Sequence, residues 1–266
     1  MQKFTSSIYG AAIGSLRNRD MPPMAIEEAN TVVFREIEGW VGDRIHLICS
    51  FIKEFHEANA VTGSIAEIGV HHGKLFFLLA HVAAGEETLV AIDLFDDQKK
   101  NMDGSGKGSM KKFMGHMYQH FPYLAGRTKV LAKDSLGISL SDIESVFDGR
   151  VRVLSVDGGH TVTHVVNDLS IAQEALTDRG IVMLDDFMGP HWPSVSEGFF
   201  RYMDRYNRRL APFLIFQNKL FLTNYSDQPQ VLAELRRFLD ARIGDEIHSS
   251  RWRYAELCGS KVLCYS

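Results

Sequence analysis

The stretch SIAEIGVHHGK, Ser64 to Lys74, decides how this chain is read. An apolar run carries Glu67 near its end, and Gly69 and Gly73 follow it. Gly69 can adopt backbone angles closed to other residues, and Gly73 lets a following helix approach the strand. A small ligand can then sit against the turn. The spacing is GxxxG, so the dinucleotide fingerprint GxGxxG is absent. The phosphate loop GxxxxGK[ST] is absent too, because Gly73-Lys74 is followed by Leu75 and the glycine spacing is one short. A nucleoside without a pyrophosphate suits this turn.

Working outward, further apolar runs follow: TLVAIDLF (Thr88 to Phe95), TKVLAKDS (Thr128 to Ser135), VRVLSVDGG from Val151, and GIVMLDDF (Gly180 to Phe187). Helical patterns separate them. Runs apolar on both faces and alternating with helices indicate a parallel sheet covered on both sides. Right-handed connections make this a Rossmann-like, doubly wound α/β fold, with ligands at the carboxyl ends of the strands. Those ends carry Glu67, Asp93, Asp134, Asp157, Asp185 and Asp186.

The flanks are additions to this core. From Ile26 to about Ala60 apolar residues recur at helical steps, among them Val33, Ile37, Trp40, Ile45, Ile48 and Ile52. Gly42-Asp43 separates two helices there, with Asp43 as a cap. This region is read as a helical N-terminal extension, residues 1–60, packed on the core or serving a homo-oligomer. Residues 61–266 form one domain. Within it, Leu210 to Tyr225 reads as two antiparallel strands turning at Gln217-Asn218, a helix runs from Pro229 to about Arg242, and a hairpin about Gly259 closes the chain.

Composition narrows the class. Of 266 residues, 45% are hydrophobic and 23% charged, which excludes wholesale disorder. The net charge of −4 gives no basic field for nucleic acid or an anionic membrane. Three cysteines without a CxxC pair cannot build a disulfide framework or a thiolate zinc site. No secretory signal and no membrane-spanning run is apparent, so a cytoplasmic location is expected.

The turn, with Asp93 at the next strand end and Asp134-Ser135 at the third, resembles class I S-adenosylmethionine-dependent methyltransferases. The resemblance covers about Val61 to Tyr225. It implies S-adenosylmethionine as cofactor, with Glu67, Gly69 and Gly73 at the first motif, Asp93 on the ribose, and Asp134 and Ser135 flanking the adenine.

Asp157, Asp185 and Asp186 end adjacent strands and repel one another, so a divalent cation with oxygen ligands, magnesium foremost, is expected between them. This arrangement resembles the metal-dependent O-methyltransferases, and the Asp-Asp pair and DGGHTVTHVVNDL are nearest the macrocin type. The resemblance implies Asp157 and His160 as catalytic residues, with His160, three residues after Asp157, as general base. His164 is read as structural or solvent-facing. Trp192 either walls the acceptor pocket or packs a loop. The lysine-flanked, glycine-rich segment of about residues 96–116 reads as a lid or as a mobile surface loop. The expected reaction is methylation of a hydroxyl on a small molecule: a sugar, a glycosylated natural product or a catechol-like polyol. Two alternatives stand beside it, a metal-independent N- or C-methyltransferase and a non-catalytic cofactor-binding module.

Overall fold

The computed structural model describes residues 24–265, so most of the MPPM stretch and everything before it lie outside the described residues. One sheet of nine strands organises the chain. The strands are β1 (Ser64–Ile68), β2 (Leu89–Asp93), β3 (Thr128–Ala132), β4 (Val151–Val156), β5 (Leu176–Leu184), β6 (Leu210–Phe216), β7 (Lys219–Asn224), β8 (Trp252–Leu257) and β9 (Ser260–Tyr265). Their spatial order is β3-β2-β1-β4-β5-β7-β6-β9-β8. The first five strands pair in parallel, β7 runs antiparallel to β5 and β6, and β8 is antiparallel to β9. The C-terminal part is not wholly antiparallel, since β9 lies parallel to β6. The helix Gln228–Ile243 and the 3-10 turn Gly244–His248 carry the chain away before β9 returns beside β6, and that crossover allows parallel pairing.

Eight helices complete the fold among the described residues: α1 (Ile26–Glu36), α2 (Ile45–Ala58), α3 (Lys74–Leu79), α4 (Met110–His120), α5 (Leu140–Val146), α6 (Val162–Ala175), α7 (Pro193–Met203) and α8 (Gln228–Ile243). Strand alternation divides the core between the two faces. Ile65 and Ala91 pack with residues of α1, α2, α3, α4 and α8. Ala66, Ile68, Val90 and Ile92 pack on the other face with α5, α6 and α7. No described helix is long and apolar enough to cross a membrane.

The described part of the N-terminal extension, from Met24 on, folds onto this core. Ala29, Val33, Ile45, Ile48, Ile52 and Phe55 are buried in it, so the stripe read in the sequence is used within the chain. Two details differ from the sequence reading. Asp43 does not cap α2: Arg44 occupies that position, and Asp43 Oδ1 instead accepts a hydrogen bond from Gln217 Nε2 at 3.0 Å. Trp40 leaves the stripe because the helix has ended by Ile37, and it stands 77% exposed.

The strand order reverses between β1 and β4, where connections leave to opposite sides and open a crevice at the carboxyl edge. The chain is held tightly on both sides of it. Gly69 N donates to Ile92 O and Asp157 N donates to Ile68 O, both at 2.8 Å.

Candidate active site

A cavity of about 600 Å³ opens over that crevice. Its floor is the carboxyl ends of β1, β2, β4 and β5, and its walls include the linker Gly39–Val41, residues between Gln98 and Gly106, and Trp192. Gly69 has φ +90°, and a Cβ there would lie 1.7 Å from the Asp157 carbonyl oxygen, so only glycine fits between the two strand ends. Gly73, at φ +95°, does not line the cavity; a Cβ there would strike the Phe77 ring at 2.4 Å. Its place is in packing α3 against the turn. Glu67 is buried, its Oε2 has no hydrogen-bond partner, and burial and then the Asp157 charge push its pKa well up.

Asp93 faces the cavity from the end of β2. Its Oδ2 accepts from His71 N at 2.7 Å and its Oδ1 from Phe95 N at 2.5 Å. Each oxygen keeps a further lone pair for a ligand hydroxyl. Asp134 caps the turn after β3 by accepting from Leu136 N at 3.0 Å, and Ser135 beside it is buried; both line the cavity. His164 is not solvent-facing. It is buried on the cavity wall, with Nε2 3.4 Å from Asp134 Oδ1 and Nδ1 2.7 Å from Thr161 Oγ1.

The carboxylates at the ends of β4 and β5 do not converge as three equals. Ligand atoms of Asp157, His160 and Asp186 lie within 4.8 Å of one another. His160 Nε2 is 3.2 Å from Asp186 Oδ2 and 3.9 Å from Asp157 Oδ1. Asp185 lies beside this group but its oxygens are occupied. Oδ2 is ion-paired with buried Lys219, while Oδ1 accepts from Asn218 Nδ2 and Asp186 N, each at 2.8 Å. The inward-facing lysine of β7 thus neutralises one of the acids. Asp157 has no such partner, and burial and then the Asp185 charge raise its pKa far above the carboxylate range.

His160 is fixed from three sides. Asp103 Oδ2 accepts from its backbone N at 2.7 Å and contacts its Nδ1 at 2.9 Å. Trp192 stacks on its ring at 4.3 Å and 11°. Ser194 Oγ donates to its carbonyl at 2.5 Å. Burial opposes charge on His160, but the neighbouring carboxylates of Asp157, Asp186 and Asp103 outweigh it and push its pKa up to about 10. Asp103 is held down to about 2; burial works against this, and hydrogen bonds from Ser105 and the His160 backbone prevail.

Asp103 and Lys219 escaped the sequence reading. Asp103 sits in the glycine-rich segment, where strand and helix periods say nothing about which side chain turns inward. Lys219 had a signal, a lone cation opening the otherwise apolar run KLFL.

The comparisons with known proteins agree with this fold. A family described as "Methyltransferase domain" matches residues 66–187. No curated protein matches the chain. Among solved structures, the O-methyltransferase NovP is similar with TM-score 0.56 at 14% identity, over 69% of this chain and 81% of NovP. The calicheamicin methyltransferase CalS11 is similar with TM-score 0.52 at 11% identity, over 76% of this chain and 91% of its own. The O-methyltransferase TomG from Streptomyces achromogenes, solved with S-adenosylmethionine, gives TM-score 0.52 at 14% identity, over 77% and 90%. At such identities these likenesses speak for the fold. Residues 66–187 are a methyltransferase domain, carried on a Rossmann-like fold.

Proposed function

We propose that the chain is a divalent-cation-dependent O-methyltransferase acting on a hydroxyl of a small molecule, such as a sugar or polyol with neighbouring hydroxyls. One observation carries the proposal: Asp157, His160 and Asp186 converge in the same cavity that Gly69 and Asp93 line. The cofactor would lie along the strand ends, with its adenine near Asp134 and Ser135, its ribose hydroxyls on Asp93, and its methionine end near Glu67 and Gly69. Gly73 would serve it indirectly, by fixing the turn. Methyl transfer then asks the protein mainly to align an acceptor oxygen in line with the sulfonium.

A divalent cation fits the donor set. Two carboxylates and one imidazole converge, and a counter-ion would relieve the cost of ionising Asp157. Asp157 and Asp186 would hold it, with His160 as a third donor or as the neighbouring base, and Asp185 acting through Lys219 and Asn218. When bound, such an ion makes a coordinated hydroxyl more acidic. His160 Nε2 points to the same place, and Asp103 on Nδ1 keeps the ring oriented for proton uptake. The carboxylate field alone holds His160 protonated, so its use as a base needs positive charge nearby.

The test is transfer of labelled methyl from S-adenosylmethionine to a panel of sugars, polyols and phenols, before and after EDTA dialysis and on return of magnesium. The proposal expects loss with EDTA and recovery with metal. Undiminished activity after EDTA would favour a metal-independent transfer, and binding without transfer to any acceptor would favour a binding module.

A further inference from the structure

Among the described residues, two large apolar side chains on the cavity wall are left in solvent, Trp40 at 77% and Met102 at 71% exposure. Trp40 belongs to the linker between α1 and α2, and that linker is held at both ends. At one end Glu38 Oε2 accepts from Lys112 Nζ at 2.9 Å and lies 3.5 Å from Nδ1 of buried His72. Gly39 then fits closely over the turn after β1, where a Cβ would lie 3.3 Å from Lys74 Cβ. At the other end Asp43 accepts from Gln217, and the backbone at Gly42 lies against the same side chain. A fixed segment thus displays the indole at the mouth of a cavity, and apolar surface exposed there marks a binding groove.

The anchors say which part of the cavity the linker covers. Gln217 precedes Asn218, whose Nδ2 donates to Asp185 at 2.8 Å and lies 3.3 Å from Asp186 Oδ1. The linker therefore runs from the turn after β1 towards the ends of β4 and β5, away from β3 with Asp134 and Ser135. Met102 reaches the same side by another route, because its neighbour Asp103 is bonded to His160. The two segments meet at His71: its ring centre is 5.7 Å from that of Trp40, and a Cβ on Gly106 would lie 3.9 Å from it. Trp40 and Met102 thus border the acceptor side of the cavity. Its floor there is carboxylate and imidazole, and its rim is indole and thioether. A cavity of about 600 Å³ that also holds the cofactor has little room beyond the reacting ring, so the rest of a larger acceptor emerges at the rim. A flat apolar group there would take the indole face and the adaptable methionine out of water.

We infer that Trp40 and Met102 form an apolar subsite for the distal part of the acceptor, and that the acceptor is amphipathic: a hydroxyl-bearing ring for the floor, joined to a flat apolar group for the rim. Trp40 is the specificity-determining residue of that subsite. The inference rests on the acceptor position proposed above.

The experiment loads wild type, Trp40→Ala and Trp40→Phe with S-adenosylhomocysteine and magnesium. Each is then titrated by calorimetry with paired methyl and 2-naphthyl glycosides of glucose, galactose, mannose and rhamnose, and a thermal melt checks folding. Wild type should bind the naphthyl member of a pair about 10-fold more tightly than the methyl member. Trp40→Ala should bring that ratio close to one, and Trp40→Phe should keep most of it. Binding of neither member, no naphthyl preference in wild type, or a preference unchanged in Trp40→Ala overturns the inference. So does a preference that appears only after residues 2–23 are deleted, which would give the indole to the chain's own N-terminus. The labelled-methyl assay keeps the two readings apart. A Trp40-dependent preference in binding, without methyl transfer to any acceptor, overturns the O-methyltransferase reading and leaves the subsite standing.

Discussion

The two edges of the sheet both bury charge, and they treat it differently. At the amino edge Arg152, 2% exposed, is completely answered. Its Nε and Nη2 donate to Glu87 at 2.7–3.1 Å, its Nη2 also to Val82 O at 2.7 Å, and its Nη1 meets His56 Nδ1 at 2.7 Å. His56 closes the cluster by donating from Nε2 to Arg179 O at 3.0 Å. Burial and then the Arg152 charge hold His56 neutral, with a pKa near 3. At the carboxyl edge only Asp185 is neutralised by a buried lysine. Glu67 keeps an unpartnered oxygen, and Asp157 and Asp186 share one histidine. A satisfied buried ion holds the fold together, whereas an unsatisfied one leaves room for a ligand.

Substitutions should separate the edges. The largest effect belongs to His160→Ala, which should lower turnover of the folded protein by about 10²–10⁴-fold. Steady-state kinetics with a melt on the same preparation would check it; wild-type turnover across neutral pH would remove His160 from the chemistry. Arg152→Met should act on stability instead. Removing one partner of the cluster should cost about 3 kcal/mol of stability in urea unfolding. Its folded fraction should still bind S-adenosylhomocysteine with near wild-type affinity.

A smaller effect should appear with pH in the ligand-free protein. The folded state raises Asp157 above its ordinary value of 3.8, to about 8. The stability from its proton is therefore fully present below the unfolded value and lost as pH rises through the folded one. His160 acts in the same sense, contributing fully below 6.5 and losing that contribution as pH rises through about 10. The melting temperature should therefore fall from about pH 4 to pH 10, with Asp157 supplying the part below about 8 and His160 the part above 6.5, and Asp157→Asn should flatten the lower part. A melting temperature rising through this window would contradict the charge arrangement described for the site.

Much of the fold was legible because burial writes itself into periodicity. Apolar runs ending in acids marked β1 to β5, and the turn at Gln217-Asn218 joins β6 and β7 as expected. The parallel pairing of β6 with β9 was hidden, since a hairpin pattern shows a strand's partner in sequence and not its other neighbour. In the site, strand-end residues were legible because the fold class dictates where strand ends gather. What Asp185 faces was not, because its partner Lys219 is far along the chain. Asp103 escaped for a related reason: loop residues obey no period, and only the folded loop brings it to His160.

Placement of the cofactor at the carboxyl edge of β1 and β2 is best tested by titrating S-adenosylhomocysteine into wild type and Asp93→Asn. Asparagine keeps the size of the side chain and one acceptor for the turn, while removing the charge that would bind the ribose hydroxyls. Wild type should show a single site, and the variant should bind about 10- to 100-fold more weakly, from the loss of charge-assisted hydrogen bonds. Equal affinity in the two proteins, or no binding to wild type, would contradict that placement.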